Sequence, residues 1–374
     1  MTGRFNHKRT VFWRPAHYLW LVIVITLAGA QRILAAYPQI AENIFARRIF
    51  RWISTPIGAA VSWLPFSLTE WVVVIGIPLA VLLLVIWLIR LIRLRDKGHK
   101  ALILYRTVAW LSTTAFVLFM FLHGFNYARQ PVAETFNLPV KARSVDMLSE
   151  MTIDLIKQAN ELRVQCEEDE SGNFRLRYGI EGTLKSIWNA YDRASEDYPL
   201  LAGMPVRPKS VYLSQAWSYT GIAGMYMPLW VESNINVAVP EHDIPGTALH
   251  EIAHVRGFAR EDEAGFLAFL TGQYSDNPDI VYSSTLDAAV RSLNALAGAD
   301  AERYQTAAGL LSDAVRRDLS ATNAFWKQFE GPIRETSTKV NNAYLQANLQ
   351  TDGVRSYGRM LDLVLAWYDK EQSE

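Results

Sequence analysis

Cysteine is nearly missing from this chain. Of 374 residues only Cys166 carries a thiol, so no intrachain disulfide and no multi-cysteine metal cluster can form. Any metal ion must then be held by histidine and carboxylate. Histidine is scarce as well: seven in all, of which only His242, His250 and His254 follow residue 130. Acidic residues are scarce in one part alone. Residues 1–129 contain three Asp/Glu against fifteen Lys/Arg, whereas residues 130–374 contain thirty-four against twenty-two. The neutral total hides a basic part and an acidic part of about twelve charges each. An acidic part with no basic stripe cannot neutralise phosphates, which excludes nucleic acid as a partner. No repeat or low-complexity stretch is present, and a chain that is half hydrophobic is not disordered.

What the first part does have is long apolar runs. Trp71 to Ile89 is nineteen residues without a charge, close to the twenty or so needed to cross about 30 Å of hydrocarbon. A second run, Thr107 to Ala128, is uncharged and carries His123 near its end. A third, His17 to Ala36, is interrupted by Gln31 and Arg32; it reads as a span in which Arg32 snorkels to the far interface. The same stretch also fits a cleaved signal peptide, with Ala28-Gly29-Ala30 after the apolar core and Arg4, Lys8, Arg9 and Arg14 ahead of it.

Basic residues fix orientation, because Lys and Arg stay on the cytoplasmic side. The amino-terminal segment and the link holding Arg90, Arg93, Arg95, Lys97, Lys100 and Arg106 belong inside, which places everything after Ala128 outside. Arg47, Arg48 and Arg51 argue the other way. They alternate with Phe45, Ile49, Phe50, Trp52 and Ile53 at helical spacing, the pattern of an interfacial amphipathic helix.

Beyond residue 130 the periodicity is helical over 142–165 and 183–194. Val, Tyr, Ile and Asn around Gly221, Gly224 and Pro228 predict a small sheet between Ser210 and Val239, and helices return from Pro245 to about Tyr368. The expected class is mainly α: a membrane domain of residues 1–129 with three transmembrane helices (17–36, 71–89 and 107–128), then an extracytoplasmic, mostly helical domain of residues 130–374.

One motif carries chemistry. His250-Glu251-Ile252-Ala253-His254 is HExxH, with Asp243 as a cap, Pro245 in the first turn and Gly257 past the end. Positions i and i+4 share a helix face, so the two imidazoles can bind one zinc ion while Glu251 reaches a water on it as general base. Ala248, Leu249, Ile252, Ala253 and Val255 surround them, so the helix is buried, and buried histidines and a glutamate need partners. A third ligand is required. The metzincin pattern would put it at Arg260, which cannot ligate zinc. Glu261-Asp262-Glu263 opens a second amphipathic helix that Gly257 lets fold back, so a carboxylate of its first turn faces the histidines.

The segment HEIAHVRGFAREDEAGFLAF resembles the zinc-binding core of the gluzincins, whose second helix carries Glu-x-x-Ala-Asp/Asn. That resemblance implies Glu261 as third ligand and Ala264 as a packing residue, with Gly265 where an outer carboxamide or carboxylate is usual. Glu261 and Glu263 point about 200° apart on a helix, so one alone can face the ion. Glu261 shares its face with the small Gly265 and Ala268, Glu263 with Phe266, Leu267 and Leu270. Together with Gly124-Phe125-Asn126-Tyr127, Gly221 to Pro228, Tyr344-Leu345 and Gly353 to Gly358, the chain resembles the bacterial membrane family catalogued as domain of unknown function 3810. The resemblance implies a gluzincin-like peptidase domain behind the membrane helices.

The expected activity is that of a zinc metallopeptidase of the bacterial cytoplasmic membrane, acting on peptide or protein substrates at its outer face, with Zn2+ on His250, His254 and Glu261. Two alternatives use the same residues: a non-catalytic metal-binding sensor or scaffold of the envelope, which has no need of Glu251, and a zinc hydrolase of another amide. His242, Tyr274, Tyr282, Arg355 and Tyr357 are the candidates to stabilise an oxyanion. Gly224 to Val239 is a candidate edge for pairing with an extended substrate, or else an ordinary sheet under the helix. His123 and Asn126 read as interfacial residues.

Overall fold

The computed structural model describes residues 18–92 and 97–372. Arg4, Lys8, Arg9, Arg14, Arg93 and Arg95, on which the orientation argument leans, lie outside the described residues.

The chain is mainly helical. Among the described residues, two helices are long and apolar enough to cross a membrane, Leu68–Arg90 with 23 residues and Ala101–Ala128 with 28. The expected first span is different. Leu19–Ala35, at 17 residues, is about 26 Å long and meets Pro38–Ser62 at a bend of 106°. Only as a bent pair do these two match the length and apolarity of a span, so the count is two, or three if the pair is one broken span. The break has a local cause: Pro38 has no N–H to donate, and Tyr37 before it leaves the helical region with φ −131° and ψ 64°.

The second arm of the bend is no free amphipathic helix. Phe45 and Phe50 are buried with Met120 and Phe125 against the end of Ala101–Ala128. Arg47 pairs with Glu42 at 3.1 Å, and Arg51 donates to the Leu200 carbonyl at 2.8 Å, so these arginines serve contacts within the protein. Arg32, expected to snorkel, donates to the Ala347 carbonyl at 3.2 Å.

Beyond residue 130, the helix Val145–Arg163 begins at Ser144, whose hydroxyl accepts from the Met147 N–H at 3.2 Å. It lies along Pro278–Ala299. Two strands the periodicity did not suggest, β1 (Glu167–Glu168) and β2 (Phe174–Arg175), form a small hairpin between helices. The expected sheet is present as β3 (Lys209–Val211), β4 (Gly224–Met227) and β5 (Glu232–Asn236), in the order β3-β5-β4. β5 is central, parallel to β3 and antiparallel to β4, and all five of its residues are buried.

The histidine helix, Asp243–Val255, crosses the sheet and is followed by the glutamate helix, Glu261–Gln273. Asp243 opens the first of these rather than capping it. Leu249, Ile252, Ala253, Phe266, Leu267 and Leu270 are fully buried between them and their neighbours. The glutamate helix was expected to be amphipathic, yet every residue from 263 to 272 is buried, because helices cover it on all sides.

Candidate functional site

Gly257 ends the histidine helix with φ +86°, and a Cβ there would lie 2.6 Å from the Phe50 ring, so both conformation and space require glycine. The reversal is clamped by Arg129. Its guanidinium donates to the Gly257 carbonyl at 2.8 Å and to both Glu42 oxygens at 2.8 and 2.9 Å, while lying 4.2 Å over the Phe258 ring. The glutamate helix thereby starts beside the histidines.

Three ligand atoms converge there. His250 Nε2 is 3.1 Å from Glu261 Oε2, His254 Nε2 is 3.5 Å from the same oxygen, and the two imidazole nitrogens are 3.2 Å apart. Ligands about 2.0–2.1 Å from a tetrahedral ion lie about 3.3 Å from one another, so the triangle has the size of one tetrahedral face. His254 Nδ1 donates to the Phe258 carbonyl at 2.8 Å, which leaves Nε2 as the free ligand atom. The charges are balanced by proximity. Burial works against the carboxylate of Glu261, but the two histidines hold it well below the usual range; burial likewise works against a charged His254, and Glu261 lifts it to about 9.

Glu251 lies on the sheet side of the same helix. Burial pushes its carboxyl upward against the pull of His250 and His254, and its Oε2 is buried without a partner. The Asn236 N–H bonds the Ala223 carbonyl at 2.8 Å, so by alternation Gly224 and Tyr226 turn their backbone groups to the free edge of β4. The Tyr226 N–H meets Glu251. Gly224 permits this contact: a Cβ there would be 2.6 Å from Glu251 Oε1 and 2.6 Å from Thr247 Cγ2. An unpaired strand edge thus runs beside a buried, half-satisfied carboxylate and a ligand triangle, an arrangement able to align an extended chain, hold an ion and take up a proton.

The other candidates separate cleanly. Glu263 points away from the histidines; its Oε1 accepts from the Val132 N–H at 2.9 Å and from Arg260. Gly265 packs on Met360. Tyr274 donates to Asp197 at 2.7 Å, Tyr282 to the buried Asp318 at 2.6 Å, and His242 pairs with the Thr322 hydroxyl at 2.8 Å. Arg355 is exposed. Among the oxyanion candidates it is Tyr357 that reaches the site, its ring stacked at 6.4 Å from His250 and its hydroxyl near enough to Glu261 to feel its charge.

His123 and Asn126 are not interfacial. Both are buried, and the His123 ring is 5.7 Å from His254 and 5.3 Å from Tyr226. Nothing in the sequence links them to a motif about 130 residues later except the resemblance, whose stretch Gly124 to Tyr127 contains Asn126 and directly follows His123. Gln350, whose Oε1 accepts from the Glu261 N–H at 3.4 Å, carries no sequence signal at all.

No curated protein and no solved structure matches the chain. One family model does, over residues 45–365, a match that takes in Leu68–Arg90, Ala101–Ala128, the three-stranded sheet and both helices of the site. The chain belongs to the family described as "Protein of unknown function (DUF3810)".

Proposed function

We propose that this protein is a membrane-anchored zinc hydrolase of peptide bonds, with His250, His254 and Glu261 holding Zn2+ and Glu251 as the general base. The observation that carries the reading is the unpartnered, buried carboxylate oxygen of Glu251 beside the ligand triangle. Buried carboxylate oxygens usually find a donor; Asp262 and Asp279 also leave one open, but Glu251 alone of the three stands between the two histidines of the triangle in the HExxH turn. Zinc bound there would act as a Lewis acid and bring the pKa of a water towards neutral.

The chain's own groups would do the rest. The outward-facing backbone groups of Gly224 and the Tyr226 carbonyl would pair with an extended substrate, the Tyr226 N–H being engaged by Glu251. Glu251 would accept the proton of the attacking water and return it to the leaving amine. The Tyr357 hydroxyl would donate to the developing oxyanion. His254 would keep its ring oriented through the Phe258 carbonyl.

The test is Glu251→Gln, which keeps shape and ligands but removes the base. Zinc content should persist while hydrolysis of a peptide pool falls about a hundredfold or more. A variant as fast as the parent sinks the hydrolase reading, whereas a parent that holds zinc and cleaves nothing favours the sensor or scaffold. The proposed address is the cytoplasmic membrane of a bacterium with the site outside. A reporter active only outside the cytoplasm should work when fused after Glu374 and be silent at Gly98; the reverse would move the site inside.

A further inference from the structure

We infer that the substrates of this site are polypeptides anchored in the same bilayer, cut within about five residues of the point where their chain leaves the membrane; this rests on the hydrolytic reading above.

Three buried connections fix the height of the site. First, β5 is bonded to the first turn of Leu68–Arg90. The Glu232 carboxylate accepts from the Leu68 and Thr69 N–H groups at 2.8 Å each, the favoured place for an anion, and Ser67 donates to Asn234 at 2.6 Å. β4 lies one strand spacing away, about 4.8 Å, and touches Glu251. Glu251 is therefore no more than about 10–15 Å above the end of that helix.

Second, His123 belongs to the helix Ala101–Ala128, seventeen residues beyond Arg106. At 1.5 Å per residue this is about 25 Å along a hydrocarbon layer of about 30 Å, and its ring touches that of His254. Third, Gln31 donates to the Gly124 carbonyl at 2.7 Å and to Asn348 at 3.4 Å, while Gln350 just beyond accepts from Glu261. The ligand helix is thus tied to the bent membrane arm as well.

Exposed aromatic residues mark the same level. Trp63 and Tyr212 are each 92 % exposed, with Phe66 and Trp71 close to Trp63 in sequence and also exposed. Glu70 holds the Tyr212 and Leu213 N–H groups at 2.9 and 2.6 Å, which sets the loop after β3 against the start of the span. Such rings prefer the headgroup layer, about 5–7 Å thick on each side. The site consequently sits in or just above that layer. A chain emerging from the bilayer covers 10–15 Å in three to five extended residues at about 3.3 Å each. Tethering also raises its effective concentration at the site, to the millimolar range for a short link.

The experiment uses the full-length protein in phosphatidylcholine vesicles with a degenerate peptide pool in three forms: palmitoylated at either terminus, palmitoylated through a 25-residue Gly/Ser spacer, and unacylated. Mass spectrometry reads the cuts. Direct acylation should raise cleavage at least about tenfold over both other forms, with cuts clustered within five residues of the anchor. Equal cleavage of all three, with Glu251→Gln silent, overturns this inference and leaves the hydrolytic reading standing; equal cleavage by parent and Glu251→Gln removes the hydrolytic reading. Depth is read without turnover from nitroxide labels at Tyr212→Cys and at the exposed Val164→Cys, each in a Cys166→Ser background. Oxygen and nickel-chelate accessibility should place the first in the headgroup layer and the second in water. A position-212 label as water-exposed as the other overturns the inference whatever the peptides do.

Discussion

Gly224→Ala adds a single methyl group at the narrowest point of the site. The backbone of Gly224 tolerates alanine, since its φ is outside the positive range, so the effect is one of space alone. The new Cβ would lie 2.6 Å from Glu251 Oε1, 2.6 Å from Thr247 Cγ2 and 2.8 Å from Glu251 Cγ. Ordinary contact needs about 3.4 Å or more, so the strand and the carboxylate must separate by about 0.8 Å. Thr247 and Glu251 belong to one buried helix and cannot both yield. Overpacking of this kind costs about 1–3 kcal/mol of stability. A catalytic group displaced by nearly an ångström costs on the order of a hundredfold in rate. Zinc content should not change, because no ligand is touched. The assay is cleavage of the peptide pool by the full-length variant, with zinc measured by mass spectrometry and unfolding followed in detergent. Parental cleavage and an unchanged unfolding midpoint would show that β4 does not press on Glu251, and the account of the site would fall.

Glu261→Ala should abolish stoichiometric zinc, whereas Glu263→Ala should keep it and lose stability instead, since Val132 and Arg260 lose their acceptor; the reverse pattern in metal analysis refutes the ligand set. Glu232→Ala strands the part-buried Leu68 N–H, the buried Thr69 N–H and the Thr69 hydroxyl, a loss of about 3–6 kcal/mol. Its thermal midpoint should fall by about 10 °C, and a shift under about 2 °C would refute the bond's importance. Burial, with Asp279 nearby, pushes the Cys166 thiol up to about 12, so at pH 9 about one thiol in a thousand is ionised against about half when unfolded. Alkylation at pH 9 should accordingly be at least a hundredfold slower in the native protein than in denaturant, and equal rates would contradict the raised pKa of this half-buried thiol.

The parts of this molecule legible in its sequence are those that local pattern determines. The Trp71 to Ile89 run, the helix at 142–165 and the HExxH spacing each follow from apolar period or from side chains one turn apart. Gly257 was legible as the stop between two helices, and the face argument on small residues distinguished Glu261 from Glu263. What stayed hidden depends on partners distant in the chain. His123 has the pattern of an interfacial residue because its neighbours in sequence are lipid-like, while its neighbours in space are His254 and Tyr226. Gln31 and Arg32 looked like defects in a span; they are the donors that bind residues 124, 347 and 348. The bend at Tyr37, with Pro38 after it, was not read from the sequence, and its second arm is held by the burial of Phe45 and Phe50 with Met120 and Phe125.

The bond between Glu232 and the first turn of Leu68–Arg90 also imposes an order of assembly. Its partners are separated by 164 residues, which at a synthesis rate of roughly 5–20 residues per second is a delay of roughly ten to thirty seconds. Through that interval the helix is already made while its leading amides wait for their acceptor. Hydrocarbon would not tolerate such unfilled donors, but water and lipid headgroups do. In a bilayer that first turn would wait at the surface, where the late-arriving strand can displace its temporary partners, and closure of the sheet onto the helix cannot precede the synthesis of Glu232.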